Sequence, residues 1–158
     1  MTITLRPMSA DELAPLVEHW QERFAGNIAP ARGLSPDEAV VQARKDFAEL
    51  LPDGIDTEHQ LLFVAEADGE RVGALWLSTR SPDGAAAGWI FEIEVDEAQR
   101  GKGYGRAIML LAEQECARRG IDAIRLNVFG ANTTARNLYA SLGYDVLFQK
   151  MGKRLTTE

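Results

Sequence analysis

The chain has 158 residues, with 17 basic and 24 acidic side chains that give it a net charge of -7. This length suits one domain over residues 1–158, and a hydrophobic content of 46% supplies a packed core, which excludes intrinsic disorder. The acidic balance argues against a nucleic-acid partner, because a phosphate backbone repels such a chain. One cysteine and two histidines predict neither an internal disulfide nor a metal site.

The first sixty residues predict one strand and two helices. Residues 3–5 alternate apolar and polar side chains, as in a short strand. Ser9 or Asp11 is placed to cap a first helix, and residues 35–38 form a capping box with proline at the start of a second. Segment 51–54, Leu-Pro-Asp-Gly, ends the second helix. The predicted apolar faces are Leu13, Leu16, Val17, Trp20 and Phe24 on the first helix and Val40, Ala43, Phe47, Leu50 and Leu51 on the second.

The spacing of apolar residues changes after residue 60 and predicts strands. Segments 61–66 and 71–78 form a hairpin across Asp68 and Gly69, a pair that suits a tight turn. The next strand covers 89–95 and is predicted to alternate strictly. Its two faces are then Phe91, Ile93 and Val95 on one side and Ile90, Glu92 and Glu94 on the other.

The C-terminal part predicts two more helices and two more strands. A helix runs from Gly103 to Arg119, and Asn132 precedes another helix that Gly143 caps at its end. A last strand covers 145–151. The strand between the two helices alternates through Ile124, Leu126 and Val128. This order predicts a mixed α+β fold, with a mostly antiparallel sheet flanked by helices and one parallel step across the helix that begins at Gly103.

The sequence also bears on cellular location. No apolar run approaches the roughly 20 residues that span a bilayer. The N-terminal residues lack the basic, apolar and small-residue order of a signal peptide. We therefore expect a cytoplasmic protein without a membrane partner.

A basic glycine loop, Gln99–Arg106, lies between a predicted strand and a predicted helix and carries three cations and no acid. Its glycines allow backbone N–H groups to turn toward an anion, and the helix N-terminus adds partial positive charge. A pyrophosphate suits the loop best, and a glycine-rich turn with a solvated basic edge is the alternative. A Walker loop needs Ser or Thr where Gly103 stands, and the dinucleotide fingerprint needs glycine where Arg106 stands, so neither fits.

Two motifs resemble the GCN5-related N-acetyltransferase family. Arg100, Gly103 and Gly105 match its loop signature, which reads Arg or Gln, two residues, Gly, one residue, then Gly or Ala. The segment Asn132–Tyr144 is close to the family's second signature. The resemblance covers Trp89–Tyr144 and extends to the other elements by order only. It implies a GNAT-type sheet whose splayed strands form an acetyl-CoA cleft.

The resemblance implies acetyl-CoA as cofactor and assigns residues to it. Amides of the glycine loop would bind the diphosphate, and strand residues 93–95 would lie along the pantetheine arm. The Val95 N–H would polarise the acetyl carbonyl, and the Asn132 side chain would hydrogen-bond the pantetheine, with a helix N-cap as its alternative role. The predicted cofactor-binding residues are Ile93, Glu94, Val95, Arg100, Gly101, Lys102, Gly103, Tyr104, Gly105, Arg106 and Asn132.

The resemblance also implies a general acid and leaves the base more open. Tyr139 corresponds to the residue that protonates the leaving thiolate, with a buried aromatic of the helix stripe as the alternative. We predict Glu92 as the base, because many relatives carry an acidic residue there. Glu94 or a water chain is the alternative base, and both carboxylates could instead attract a cationic substrate.

We therefore predict an N-acetyltransferase that moves the acetyl group directly, in a ternary complex, to a primary amine of a small molecule or peptide. A non-catalytic CoA-binding sensor or partner module is the alternative, and a Rossmann-type nucleotide-binding domain is a third hypothesis. Cys116 lacks a nucleophile signature and is predicted to be buried and free, and His19 and His59 are predicted to be ordinary surface or packing residues. Monomer and homodimer both stay open.

Overall fold

The computed structural model describes residues 2–156, which form five strands and four helices together with short 3-10 turns at 54–56 and 97–99. The strands are β1 (Ile3–Pro7), β2 (Gln60–Ala67), β3 (Glu70–Ser78), β4 (Gly88–Val95) and β5 (Ile124–Leu126). The helices are α1 (Ala10–Arg32), α2 (Pro36–Leu50), α3 (Tyr104–Arg118) and α4 (Thr133–Ser141). The predicted α+β fold is confirmed. Across residues 2–156, none of the helices combines the length and apolar character needed to traverse a bilayer.

The strands form one sheet in chain order, with β1 at one edge and β5 at the other. Strands β1 to β4 pair antiparallel, whereas β5 runs parallel to β4 because α3 crosses between them, as predicted. The hairpin between β2 and β3 turns at Asp68 and Gly69, whose φ angles of 52° and 82° match the type I′ turn that this pair favours.

Both N-terminal helices begin at the predicted capping boxes. Ser9 Oγ accepts the Glu12 N–H at 3.2 Å, and the Glu12 carboxylate accepts the Ser9 N–H at 3.0 Å. Ser35 and Glu38 make the same pair of bonds at the start of α2. These bonds satisfy amides that a helix start leaves unpaired, so the boundaries follow from local sequence.

The two faces of the sheet are covered by different helices. Helices α1 and α2 pack on one face, where the fully buried rings of Trp20 and Trp76 stack with centroids 6.1 Å apart. Helix α3 packs on the other face and buries Ile108 and Met109 completely. Helix α4 joins this second face.

One predicted core position in α2 is wrong. Val40 is 40% exposed, and Ala39 takes the buried position beside Ala43 and Phe47. The three buried residues are four apart and therefore lie on one stripe of the helix. Val40 comes one residue after Ala39 and lies outside this stripe.

A β-bulge interrupts β4 near its middle. Trp76 of β3 is opposite Glu92, but the next residue, Leu77, is opposite Ile90. Phe91 is therefore an extra residue without a partner in β3. Such a bulge bends the strand and changes which face the following side chains occupy.

Because of the bulge, the predicted strict alternation of β4 is wrong. Phe91 packs on the α1 face, with its ring centroid 4.6 Å from that of Trp76. Ile93 and Val95 pack on the α3 face, and Ile90 shares that face with them. Phe91 was predicted to lie beside Ile93 and Val95, and Ile90 opposite them.

The predicted last strand over 145–151 is also wrong, because no strand follows α4 within the part of the chain that the structure describes. Strand β5 itself ends at Leu126, so Val128 lies beyond it and is 38% exposed. Residues 145–156, called the C-terminal tail below, are all exposed. A strand needs a neighbour to take up its backbone hydrogen bonds, and residues 145–156 make no backbone hydrogen bond with the rest of residues 2–156.

Gly73 of β3 lies tightly against the backbone of β4, and replacing it tests that packing. A Cβ added to Gly73 would lie 2.1 Å from the Glu94 carbonyl oxygen. Gly73→Ala is therefore expected to lower the free energy of unfolding by about 2–3 kcal/mol, measured by urea denaturation, because the strand backbones must separate.

The matched control is Gly26→Ala in α1, where no atom lies within 4 Å of an added Cβ. This change is expected to be neutral or to stabilise by up to about 1 kcal/mol, because alanine favours helix. Equal losses in the two variants would contradict the close approach at Gly73.

Candidate active site

The site begins where β4 and β5 separate. The two strands pair only between Gly88–Ile90 and Ile124–Leu126. Beyond Ile90, the residues Phe91–Val95 of β4 have no partner on the β5 side. The splayed arrangement that the resemblance implied is present, and it leaves a backbone edge open to a ligand.

The backbone of Val95 faces this open edge. The N–H of Asp96 donates to the Val72 oxygen of β3 at 2.8 Å. Amides alternate in direction along a strand, so the Val95 N–H points away from β3 and toward the gap. The Val95 carbonyl, on the same side, accepts a hydrogen bond from Arg100 Nε at 3.3 Å.

The glycine loop after β4 forms a concave backbone surface. Gly101 and Gly103 have φ angles of 80° and 83°, in the left-handed region that favours glycine, and no atom lies within 4 Å of a Cβ built on either. Gly103 is also the N-cap of α3. Within residues 2–156, no protein acceptor pairs with the backbone N–H groups of Gly101, Lys102, Gly103, Gly105 and Arg106. These donors are available to an anion.

The three cations of the loop are not neutralised by acids. Lys102 Nζ donates to Gln99 Oε1 at 3.1 Å, and Arg106 donates to Ser141 Oγ at 3.1 Å. The Arg100 side chain donates to the Val95 carbonyl already described. Since none of the three forms an ion pair with another residue of 2–156, their positive charge adds to that of the helix N-terminus.

Gly105 brings α4 against the loop. A Cβ built on Gly105 would lie 3.4 Å from Leu138 Cδ2 and 3.8 Å from Val95 Cγ2. The start of α3, the end of β4 and the middle of α4 therefore meet at this glycine. This packing places the predicted acid, Tyr139, beside the open edge.

Tyr139 is 9% exposed, and its ring centroid lies 5.9 Å from that of Tyr144. Burial raises the pKa of the Tyr139 hydroxyl above its ordinary value, the negative charge of Glu92 raises it further, and Arg23 opposes both effects. Tyr139 and Glu92 thus act on each other electrostatically although they come from different layers.

Asn132 serves as the N-cap of α4. Its Oδ1 accepts the Ala135 N–H at 3.2 Å, which is the alternative role considered for this residue. The Nδ2 group has no partner within residues 2–156, so the cap leaves one end of the amide available.

The two carboxylates of β4 lie in different environments. Glu92 Oε2 binds Arg23 at 2.5 Å, whereas Oε1 of Glu92 has no partner within residues 2–156. Both oxygens of Glu94 are bound, Oε1 by His19 Nε2 at 2.7 Å and Oε2 by the Trp20 N–H at 3.3 Å. Burial raises the pKa of Glu92, and the charge of Arg23 and its hydrogen bond partly oppose this.

Sequence reasoning missed His19 and Arg23. His19 is half-exposed, as expected for a surface residue, but its ring binds the buried Glu94 carboxylate. The two residues lie four apart on α1 and therefore on the same side of the helix, along one border of the apolar stripe that contains Trp20. Basic side chains at the border of a buried stripe were the available signal, but their partners on β4 are more than sixty residues away.

Other reactive side chains lie outside this arrangement. His59 contacts Thr79 at 3.2 Å and Glu58 at 3.3 Å, away from β4. Cys116 is buried and free, as predicted, and burial raises the pKa of its thiol. Among residues 2–156, no cluster of three or more His, Cys, Asp and Glu is arranged to hold a metal ion.

Comparisons with known proteins agree with this geometry. The profile of the acetyltransferase (GNAT) family matches residues 17–144. N-acetyltransferase YycN of Bacillus subtilis is 30% identical over 156 residues, which cover 98% of this chain and 100% of YycN. The YycN crystal structure superposes with a TM-score of 0.91 at 29% identity, over 99% of this chain and 100% of that one.

More distant proteins share part of the sequence or the fold. Mycothiol acetyltransferase of Thermobispora bispora is 38% identical over 96 residues, covering 56% of this chain and 32% of the relative. PaiA N-acetyltransferase of Thermoplasma acidophilum, solved in complex with coenzyme A, has a TM-score of 0.68 at 22% identity, over 95% of this chain and 94% of that one.

These findings define the protein as an N-acetyltransferase. The chain belongs to the acetyltransferase (GNAT) family.

Proposed function

We propose that the chain is an acetyl-CoA-dependent N-acetyltransferase that moves the acetyl group directly to a primary amine. The observation that carries this proposal is the edge of β4 that β5 leaves unpaired, which runs into the basic glycine loop. Within residues 2–156, the amides of Gly101, Lys102, Gly103, Gly105 and Arg106 in this loop lack protein acceptors. Bound acetyl-CoA would supply an activated thioester. An extended amide-bearing arm joined to a diphosphate matches an open strand edge followed by an anion site.

The glycine loop holds the diphosphate in this proposal. The N–H groups of Gly101, Lys102, Gly103, Gly105 and Arg106 donate to phosphate oxygens, and Arg100, Lys102 and Arg106 supply unneutralised charge. The left-handed glycines keep side chains out of the space that the phosphates need. Tyr104 lies at the first turn of α3, beside these donors.

The open edge of β4 orients the acyl arm. Ile93, Glu94 and Val95 offer backbone groups to it, and the Val95 N–H donates to the oxygen on which negative charge develops. Such a preorganised donor is typically worth about 3 kcal/mol of the barrier. Asn132 keeps its capping bond through Oδ1 and donates to the arm through Nδ2.

Tyr139 acts as the general acid. The phenol stays protonated at neutral pH because burial and the charge of Glu92 raise its pKa. As the carbon–sulfur bond breaks, Tyr139 gives its proton to the thiolate, so that the free thiol leaves. Solvent then reprotonates the phenolate.

Glu92 acts as the general base. Its Oε1 has no partner within residues 2–156, whereas both oxygens of Glu94 are bound, and this favours Glu92 over Glu94. Glu92 accepts the proton that the amine loses as its nitrogen bonds to the acetyl carbon. The higher pKa that burial gives Glu92 makes this transfer less uphill.

The acceptor is proposed to be a cationic amine of a small molecule or peptide. Glu92, Glu94 and Glu97 lie in or just after the last part of β4, and Glu97 forms no ion pair within residues 2–156, so carboxylates would attract a cation at this end of the cleft. A protonated amine would be drawn to this end before it loses its proton.

The test is acetyl-CoA incubated with a panel of primary amines, with release of free thiol as the readout and calorimetry for CoA binding. We expect CoA binding together with amine-dependent thiol release. CoA binding with no acetylation across the panel would favour the sensor hypothesis. A thermal-shift competition in which NAD or ATP outcompetes CoA would favour a nucleotide-binding domain.

The ion pair between Arg23 and Glu92 predicts how kcat/KM depends on pH. Arg23→Gln removes the strongest influence that lowers the Glu92 pKa, so the effect of burial is opposed less and the carboxyl keeps its proton to higher pH. The acidic limb of kcat/KM is therefore expected to move to higher pH, with a loss at pH 7 that recovers in alkaline buffer.

The control repeats Arg23→Gln in a Glu92→Gln background. The amide side chain that replaces the Glu92 carboxylate cannot titrate. Adding Arg23→Gln to this variant should therefore not shift what remains of the pH profile. If Arg23→Gln alone does not move the acidic limb, Glu92 is not the base.

A further inference from the structure

Phe91 and Glu92 are consecutive residues of β4 whose side chains both face α1. The Phe91 ring packs on Trp76 with centroids 4.6 Å apart, and the Glu92 carboxylate binds Arg23 of α1. Consecutive side chains of a regular strand point to opposite faces, so this pairing depends on the bulge at Phe91. The bulge therefore places an aromatic ring directly beside the proposed base.

Phe91 is one of four partly exposed aromatic rings that line the cleft, called the aromatic wall below. They are Phe24 of α1, Trp89 and Phe91 of β4, and Phe129 after β5. The rings contact each other in two pairs, Trp89 with Phe91 at 6.2 Å and Phe24 with Phe129 at 6.4 Å between centroids.

Two buried rings support the aromatic wall from behind. Trp76 and Phe47 are 0% and 4% exposed, and their centroids lie 5.6 Å apart. Trp76 contacts Phe91, and Phe47 contacts Phe24 at 5.9 Å, so the buried rings join the two exposed pairs. The aromatic wall is therefore a fixed apolar surface that a ligand in the cleft can contact.

The largely buried carboxylates on this side of the cleft leave one oxygen free for a cation. Both oxygens of Glu94 are bound, as described above. Asp46 of α2 accepts Arg32 at 3.3 Å through one oxygen and Gln42 at 2.7 Å through the other. Only Oε1 of Glu92 lacks a partner among these three carboxylates within residues 2–156. One ammonium group can therefore pair with a free oxygen beside the aromatic wall.

Two arginines of α1 oppose a second positive charge. Arg23 binds Glu92 and also lies 3.6 Å from Glu94. The Arg32 guanidinium lies over the Phe24 ring, 5.5 Å from its centroid, so the protein itself occupies the ring face that would attract a cation. Any further ammonium group of a polyamine or an aminoglycoside would meet these like charges.

We propose that the acceptor is a primary amine with a single positive charge and an aromatic group, and that the aromatic wall binds this group. The inference rests on the proposed function, whose acceptor it narrows. The ammonium pairs with Glu92 Oε1, and the aromatic group packs on Phe91 and Trp89. The Cα atoms of consecutive residues are about 3.8 Å apart, which suits an aromatic group two or three bonds from the nitrogen. Apolar walls with few polar anchors are typical of small-molecule sites.

The first experiment compares acceptors by thiol release from acetyl-CoA. 2-Phenylethylamine is the main probe, and a tripeptide amide that begins with phenylalanine carries the same unit on a peptide. 1,4-Diaminobutane and kanamycin are the comparators with several charges. We expect kcat/KM for 2-phenylethylamine to exceed that of both comparators by about 10-fold or more. A tripeptide that outperforms the free amine would support the subsite and identify a peptide N-terminus as its source. Preference for either comparator would overturn the inference and leave the proposed function intact.

The second experiment changes the aromatic wall. Phe91→Leu is expected to lower kcat/KM for 2-phenylethylamine by about 10-fold, mainly through KM, because the aromatic contact is the same in the ground state and the transition state. Trp89→Leu is a second variant that leaves the contact between Phe91 and Trp76 in place. Phe63→Leu is the control, since Phe63 is a partly buried strand residue that packs on the α3 face. Equal losses in all three variants would contradict the subsite.

The third experiment measures binding without catalysis. Saturation-transfer NMR follows the ring protons of 2-phenylethylamine added to the protein, with CoA present and absent. Signal transfer is expected with the wild type and with Phe63→Leu, and it should fall in Phe91→Leu and Trp89→Leu. No transfer in either condition would overturn the inference, even if other amines are acetylated. Binding without any thiol release would retain the subsite and show that the proposed activity is wrong.

Discussion

Tyr139→Phe is expected to lower turnover by about 10²- to 10⁴-fold while CoA affinity stays largely unchanged. The hydroxyl is the only group removed, and the ring keeps its buried position beside Tyr144. Without the phenol proton, the thiolate must leave unprotonated or take a proton from water. Steady-state rates with acetyl-CoA, together with calorimetric CoA binding, measure the two effects separately.

Tyr144→Phe is the matched control for this prediction. Its hydroxyl donates to Glu113 on α3 and does not face the β4 edge, so turnover should be nearly retained. The loss of that bond is expected to appear as reduced stability. If Tyr139→Phe turns over like the wild type, Tyr139 has no part in the mechanism. If both variants lose the same activity, the effect is structural.

Gly103→Val is expected to abolish productive CoA binding, with a loss of about 100-fold or more in affinity, or roughly 2.7 kcal/mol. A side chain at Gly103 would enter the open space in front of the loop amides, where no protein atom lies within 4 Å. A φ of 83° also disfavours a β-branched residue, so the loop backbone would shift and the amides would no longer converge. Calorimetric titration with CoA measures the change.

Gly84→Val is the control that separates loss of space for the diphosphate from backbone strain. Gly84 has a φ of 81°, and the space around it is equally open, but it lies in the loop before β4 and not at the anion site. The backbone strain is therefore matched, and this variant should lose stability without losing CoA affinity. Normal CoA binding by Gly103→Val would mean that the diphosphate lies elsewhere.

Local sequence determined the parts of the fold that depend on near neighbours. The capping boxes at Ser9 and Ser35 and the turn at Asp68 and Gly69 are each complete within a few residues, so reading the chain was enough to place them. The loop that carries Gly103 was found in the same way, since its chemistry lies in backbone amides and glycine conformations.

Long-range packing decided what the sequence left open. The bulge at Phe91 depends on how β3 and β4 align, and it changed the predicted faces of β4. The ion pair of Arg23 with Glu92 joins residues 69 positions apart, and no local pattern links them. The resemblance already favoured Glu92 over Glu94 as base, and the tertiary contacts of the two carboxylates add an independent argument for it.

The C-terminal tail shows the same difference between what local sequence specifies and what tertiary contacts decide. The sequence of residues 145–151 specifies a strand by composition, because side-chain preference is a local property. Whether that strand forms depends on an edge with which its backbone can pair, and within residues 2–156 the tail forms no strand beside β5. Sequence alone thus predicted the helices, most of the strands and the position of the glycine loop. Tertiary structure decided the strand register, the partners of the buried charges and the fate of the last segment, since each depends on contacts between residues far apart in the chain.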